Sequence, residues 1–186
     1  MKWTAAVMLS LACASAVMAA AGPDPIVATR QSSMKEMAAA AKTIAGMFDD
    51  KLAYDAAAFK AAAETIRART GPTLIAEFPS ATLGAPSGAK LQIDQARSEF
   101  EALARHIGML ATTLAAKAER APASITDDMR MGSGPAMGGG SLLGKRPAAA
   151  EADPAKVPAE HLLHLILQDC SSCHSKFRQK SPVIAD

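Results

Sequence analysis

Near the end of this 186-residue chain, Cys170-Ser171-Ser172-Cys173-His174 sets two thiols three residues apart, with an imidazole directly after the second. That pattern is the attachment signature of a c-type haem. On a helix both sulfurs share one face and can form thioethers to the vinyl groups of one porphyrin. His174, four residues after Cys170, is then placed to bind the iron as proximal ligand. Two other chemistries use such a pair. A redox dithiol follows a strand in a βαβ setting, and no strand pattern precedes Cys170. A structural zinc site draws four ligands from two pairs, and the chain has no second cysteine pair. Covalent haem uses all three residues at their actual spacing.

The elements that must carry this motif are helical. Alanine dominates, aromatic residues are 4%, and hydrophobic residues are 49%, enough apolar mass for one core of helices rather than a β-sandwich. A net charge of +2, without a basic run or interleaved aromatics, does not suggest a nucleic-acid partner. Residues 1–20 read as a secretory signal. Lys2 is followed by an uncharged run through Leu9, Leu11 and Val17 that ends in the small residues Ala19, Ala20 and Ala21. A transmembrane anchor is the alternative, but the run barely reaches spanning length and is rich in alanine. Cleavage would leave a mature region of 21–186 with no membrane span. It would also remove Cys13, so that both remaining cysteines belong to the haem motif and no disulfide framework is left. Export to the periplasm agrees with haem attachment, which follows translocation in this class of protein.

Four segments have the period of amphipathic helices. The first starts at Asp24-Pro25, an aspartate N-cap with proline in the first turn, and runs through Val27, Arg30, Met34, Met37, Ala41, Ile44 and Phe48. The second opens at Asp55 and is lined by Phe59, Ala63 and Ile66; Thr70-Gly71-Pro72 halts it, with a further apolar turn at Leu74, Ile75 and Phe78. After a loop over 79–89, the third keeps a three-four alternation from Ile93 through Phe100, Ile107 and Leu114. Residues 129–158, rich in Gly, Pro and Ala, read as a flexible insertion. Met131 and Met137 within it are too few and too glycine-spaced to suggest copper. The fourth helix starts near Val157-Pro158 and puts Cys170, Cys173 and Phe177 on its apolar seam. The expectation is an all-α, antiparallel up-down four-helix bundle with C-terminal c-type haem attachment. Arg30, Met34, Cys170, Cys173 and His174 should surround a cavity between its first and last helices.

Three stretches are similar to the class II cytochromes c, the cytochrome c prime family: Arg30-Gln31-Ser32-Ser33-Met34, Tyr54-Asp55-Ala56-Ala57, and Cys170 through His174 to Phe177-Arg178. The resemblance covers the mature region apart from the insertion. It implies one covalently attached haem c, with Arg30 and Gln31 beside its propionates and Arg178 near the proximal His174. It also implies a homodimer formed through the first two helices. A guanidinium on a bundle seam is costly unless paired, and a propionate is a suitable anion; the alternative is an arginine whose stem covers the core while its head reaches water.

Met34 matches the position that faces the open side of the iron. If its thioether coordinates, His174 and Met34 are the axial ligands and the protein is an electron carrier serving redox partner proteins. If it only packs there, the iron is five-coordinate and the pocket admits small gases such as NO or CO. The electron carrier is the leading expectation and the gas-binding protein its alternative. His106 should lie at the surface, and His161 and His164 lie more than two turns below His174 on the same helix. No carboxylate pair, nucleophile–base pair or phosphate loop has a spacing usable for catalysis, so an enzyme is not expected.

Overall fold

The computed structural model describes residues 24–131 and 154–179; the expected signal at 1–20 and Met137 lie outside them. Six helices occupy these residues: α1 Pro25–Phe48, α2 Ala56–Ala68, α3 Pro72–Ala76, α4 Gln92–Gln95, α5 Arg97–Glu119 and α6 Ala159–Phe177. The long ones form a ring in which α1 packs on α2, α2 on α5, α5 on α6 and α6 back on α1. This is the four-helix bundle expected from the periodicity.

The helix starts follow the cap chemistry. Asp24 accepts a hydrogen bond from the N–H of Ile26 at 2.8 Å, and Asp55 accepts from Ala58 at 2.6 Å, each satisfying an amide that has no partner within the helix. α1 ends where Asp50 turns left-handed, at φ 57°, and the N–H groups of Lys51 and Leu52 return to the carbonyl of Gly46. Aspartate is among the few residues that tolerate this conformation.

Two apolar clusters divide the interior along its length. The larger joins Ile44, Phe59, Ile66, Ile107, Leu114, Leu162 and Ile166 between all four long helices. The smaller joins Leu74, Phe78, Ile93, Phe100 and Phe177 at the end where α1 begins and α6 finishes. Phe59 and Phe100 are 1% exposed, so each contributes roughly 1.5–3 kcal/mol of burial.

Two expectations need correction. The third predicted helix is not continuous: α4 and α5 meet at Ala96, whose φ −121° and ψ 42° are not helical. Arg97, the first residue after the break, donates to the carbonyl of Phe78 at 2.7 Å and to Glu101 at 3.1 Å. Ile93 and Phe100 face the core on both sides, so the apolar period runs through the break and hides it. The expected 129–158 insertion is also too wide at both ends. Met129 is buried in the larger cluster, and its carbonyl accepts from the N–H of Glu160 at 2.9 Å. Arg130 donates to the carbonyl of Phe48 at 2.8 Å and to Asp50 at 3.0 Å. On the other side, the carbonyl of Ala155 accepts from Lys117 at 2.9 Å. Both ends are thus pinned where α1 finishes and α6 begins. At about 1.5 Å per residue, that is roughly 20 Å along α6 from Cys173.

The turn between α2 and α3 approaches α5 through two glycines. Gly71 has φ +63°, and a Cβ at Gly108 would lie 2.8 Å from its Cα and 3.0 Å from its nitrogen. Both are backbone atoms, so neither can swing aside as a side chain does. Gly108→Ala is expected to destabilise the protein by about 1–3 kcal/mol through overpacking, measured as a lower denaturant midpoint with unchanged slope. A wild-type midpoint would show that the two backbones are not in contact.

Candidate haem site

At the end of the bundle that holds the smaller cluster, a cavity of about 450 Å³ opens between α1, α5, α6 and the strap of residues 78–90. Its size is within the range of roughly 300–1,000 Å³ found for small-molecule and cofactor sites. α1 contributes Arg30, Gln31, Met34, Lys35 and Ala38; the strap contributes Phe78, Ser87, Gly88 and Ala89; α5 contributes Phe100. From the end of α6 come Cys173, His174, Phe177, Arg178 and Gln179. Of the five residues expected around it, Arg30, Met34, Cys173 and His174 are on the wall. Cys170, one turn earlier, packs against the larger cluster.

The two cysteines are free and half-buried. Burial pushes the thiols of Cys170 and Cys173 up to about 11, with the Asp169 charge adding to both and Cys170 acting on Cys173. A dithiol built for redox exchange has the opposite character, a thiol held near or below neutrality by positive surroundings. Among the described residues, no group of three or more His, Cys, Asp or Glu side chains could hold a metal ion. His174 is accessible on one side. The burial that it does have, with the Arg178 charge second, holds its imidazole below the ordinary value and so favours the neutral, metal-binding form.

Arg30 is 3% exposed, and within the protein its partners are Glu77, Phe78 and Thr82. Its guanidinium donates to the carbonyl of Glu77 at 3.1 Å, to Thr82 Oγ1 at 3.4 Å and to the carbonyl of Thr82 at 3.3 Å, and it lies 4.4 Å from the Phe78 ring centroid. Burial lowers its pKa, opposed by Glu77 and then Asp24. Beside it, Ser33 donates to Glu77 at 2.6 Å. Arg30 therefore staples α1 to the strap and holds Phe78 in the wall, while two of its five N–H donors stay uncommitted. Gln31 is an exposed wall residue.

The wall suits a flat apolar ring with two carboxylates. Phe100 lies 5.0 Å from Phe78 and 5.6 Å from Phe177, and the three rings form an apolar side. Among the described residues, three cations line the cavity, Arg30, Lys35 and Arg178, and no carboxylate does. Met34 is half-buried against the same aromatic cluster. The other histidines are elsewhere: His106 pairs with Asp169 at 2.7 Å, and His161 and His164 are exposed on α6. Lys35 and the 87–89 segment were not anticipated. Lys35 could have been noticed as the neighbour of Met34, whereas nothing in the loop composition marks Ser87, Gly88 and Ala89 as wall residues.

A family model described as cytochrome c′ matches residues 25–132, more than half of the chain and ending before the cysteine pair. No curated protein matches the sequence. Among solved structures, cytochrome c′ from Thermochromatium tepidum is similar, with 21% identity, a TM-score of 0.58, and coverage of 86% of this chain and 98% of that one. Cytochrome c prime from Shewanella frigidimarina matches at 16% identity and a TM-score of 0.60, with the same coverages. A cytochrome c′ with an unusual ligand-controlled dimer dissociation matches at 21% and 0.58, again over 86% and 98%.

The Arg30 contacts carry a stability consequence. Arg30→Met keeps much of the stem but removes three hydrogen bonds from buried acceptors and the charge beside Glu77. The expected cost is about 2–3 kcal/mol, read as a lower denaturant midpoint. An Arg30→Met protein as stable as wild type would mean that the guanidinium serves only an anion in the cavity.

Proposed function

The chain belongs to the cytochrome c′ family, and from that premise we propose that its haem iron is held by His174 alone, leaving an open face for small neutral gases such as NO or CO. Like the rest of the family it carries one covalently attached haem c. In this reading Cys170 and Cys173 supply the two thioethers and His174 the proximal bond. Lys35, Arg178 and the uncommitted N–H groups of Arg30 face the propionates, with Gln31 beside them. The haem supplies an iron that can change oxidation state and take an axial ligand.

The packing of Met34 is the observation that carries the proposal. Its side chain is half-buried against the Phe78–Phe100–Phe177 cluster, where apolar contacts hold a thioether as a wall component. An apolar face excludes water and charged ligands more than it excludes a neutral diatomic. The sequence alone put a His174/Met34 electron carrier first; family membership favours the open site. The carrier remains the second reading because Met34 and His174 line one cavity from different helices, and a thioether is a competent soft ligand. We also infer periplasmic location after cleavage of the 1–20 signal, and no catalytic role. A homodimer through α1 and α2 is part of the same reading, as dimer dissociation is named for one similar structure.

Absorption spectra of the oxidised and reduced protein decide between the readings. The open site predicts a high-spin spectrum in wild type and in Met34→Ala, with gas association at least several-fold faster once the methionine is trimmed. A low-spin wild type that turns high-spin in Met34→Ala would establish the electron carrier instead.

A further inference from the structure

The last turn of a helix ends in carbonyls that no intrahelical N–H can reach. At the end of α6 these belong to His174, Ser175, Lys176 and Phe177. The N–H of Arg178 takes the carbonyl of His174 at 3.2 Å. The other three are all taken by one residue of the strap. Lys90 donates its backbone N–H to Phe177 at 2.9 Å, and its Nζ to Lys176 at 2.9 Å and Ser175 at 3.4 Å. A further bond, from the N–H of Gln179 to the carbonyl of Gly88 at 2.8 Å, closes the strap over the same turn.

The chemistry of Lys90 fits this post. An ammonium favours the negative end of a helix dipole, and all the contacts of this one are carbonyls. Lys176, by contrast, is paired with Glu99. The strap that carries Lys90 also supplies Ser87, Gly88 and Ala89 to the cavity wall, so one segment holds both the wall and the end of the haem-bearing helix.

We propose that Lys90 is the positioning residue for His174: by holding the carbonyl end of the last turn of α6, it sets how readily the imidazole leaves the iron. The proposal rests on His174 as the iron ligand and holds whether or not Met34 also coordinates. Nitric oxide would compete with a thioether for the iron, so it serves as a probe of the histidine bond in either case.

The test uses the full-length haem-loaded protein, with Lys90→Met to remove the ammonium while keeping the stem and Lys90→Arg to restore a cation. In Lys90→Met the amides of Arg178 and Gln179 are expected to exchange with deuterium at least tenfold faster. With saturating nitric oxide, conversion to the five-coordinate nitrosyl that has lost His174 should be at least threefold faster. Lys90→Arg should return both towards wild type. If wild type keeps His174 throughout, Lys90→Met must release it. An unchanged nitrosyl conversion in Lys90→Met overturns the proposal even if exchange accelerates, and unchanged exchange overturns the clasp beneath it. Gln179→Pro carries the same test should Lys90→Met fail to accumulate. It removes the N–H that reaches Gly88 together with the exposed Gln179 side chain at the cavity wall, and Arg178 is already extended, as a residue before proline must be. Faster histidine loss is expected in Gln179→Pro, and a wild-type rate would count against the proposal. The resting spectrum is read separately: a low-spin wild type refutes the open site without touching this comparison.

Discussion

Four packed helices tend to close on one another along their whole length, and this bundle is kept from doing so at one end. The three rings of Phe78, Phe100 and Phe177 hold the strap, α5 and α6 in a fixed relation there, while Arg30 ties the strap to α1. The space that they keep open is the cavity walled by His174 and Met34. Everything proposed for the protein depends on this prop, because a rigid planar cofactor needs its walls in place before the iron can be presented to one face and not the other.

The two ends of the molecule are specialised in different ways. Where α1 finishes and α6 begins, the larger cluster fills the interior, and Arg130, Met129 and Lys117 pin both sides of the long connection between α5 and α6. Variation in the length of that connection is thereby kept roughly 20 Å from the cysteine pair, at about 1.5 Å of helix per residue. The opposite end bears the chemistry, and there the strap between the short helices α3 and α4 supplies Phe78, Ser87, Gly88 and Ala89 to the wall. Short elements with side-chain ties can shape a pocket more finely than the face of a long helix.

Charge follows the same division. Among the described residues, cations line the cavity and carboxylates do not, whereas Glu101, Glu64 and Glu119 make ion pairs on the outer surface. Those exposed pairs contribute little to stability. The buried guanidinium of Arg30 is another matter. Its acceptors are two carbonyls and a hydroxyl, so its charge is solvated by the strap's backbone before any propionate is considered. A residue that the resemblance places beside the propionates is also a fastener of the fold.

Local chemistry by itself determined a large part of this protein. The four amphipathic runs, the caps at Asp24 and Asp55 and the spacing of Cys170, Cys173 and His174 act over a few residues, so the chain reveals them without any knowledge of its neighbours. The break at Ala96, the docking of Met129, the glycine contact at 71 and 108, and the ties of Arg30 and Lys90 join residues far apart in the chain, and no period or motif encodes such partners. Met34 marks the boundary between the two. The sequence can place its sulfur on the right face of α1, but whether a thioether bonds to iron or lines a wall is decided by packing of the order of an ångström, set by the strap, α5 and α6 together.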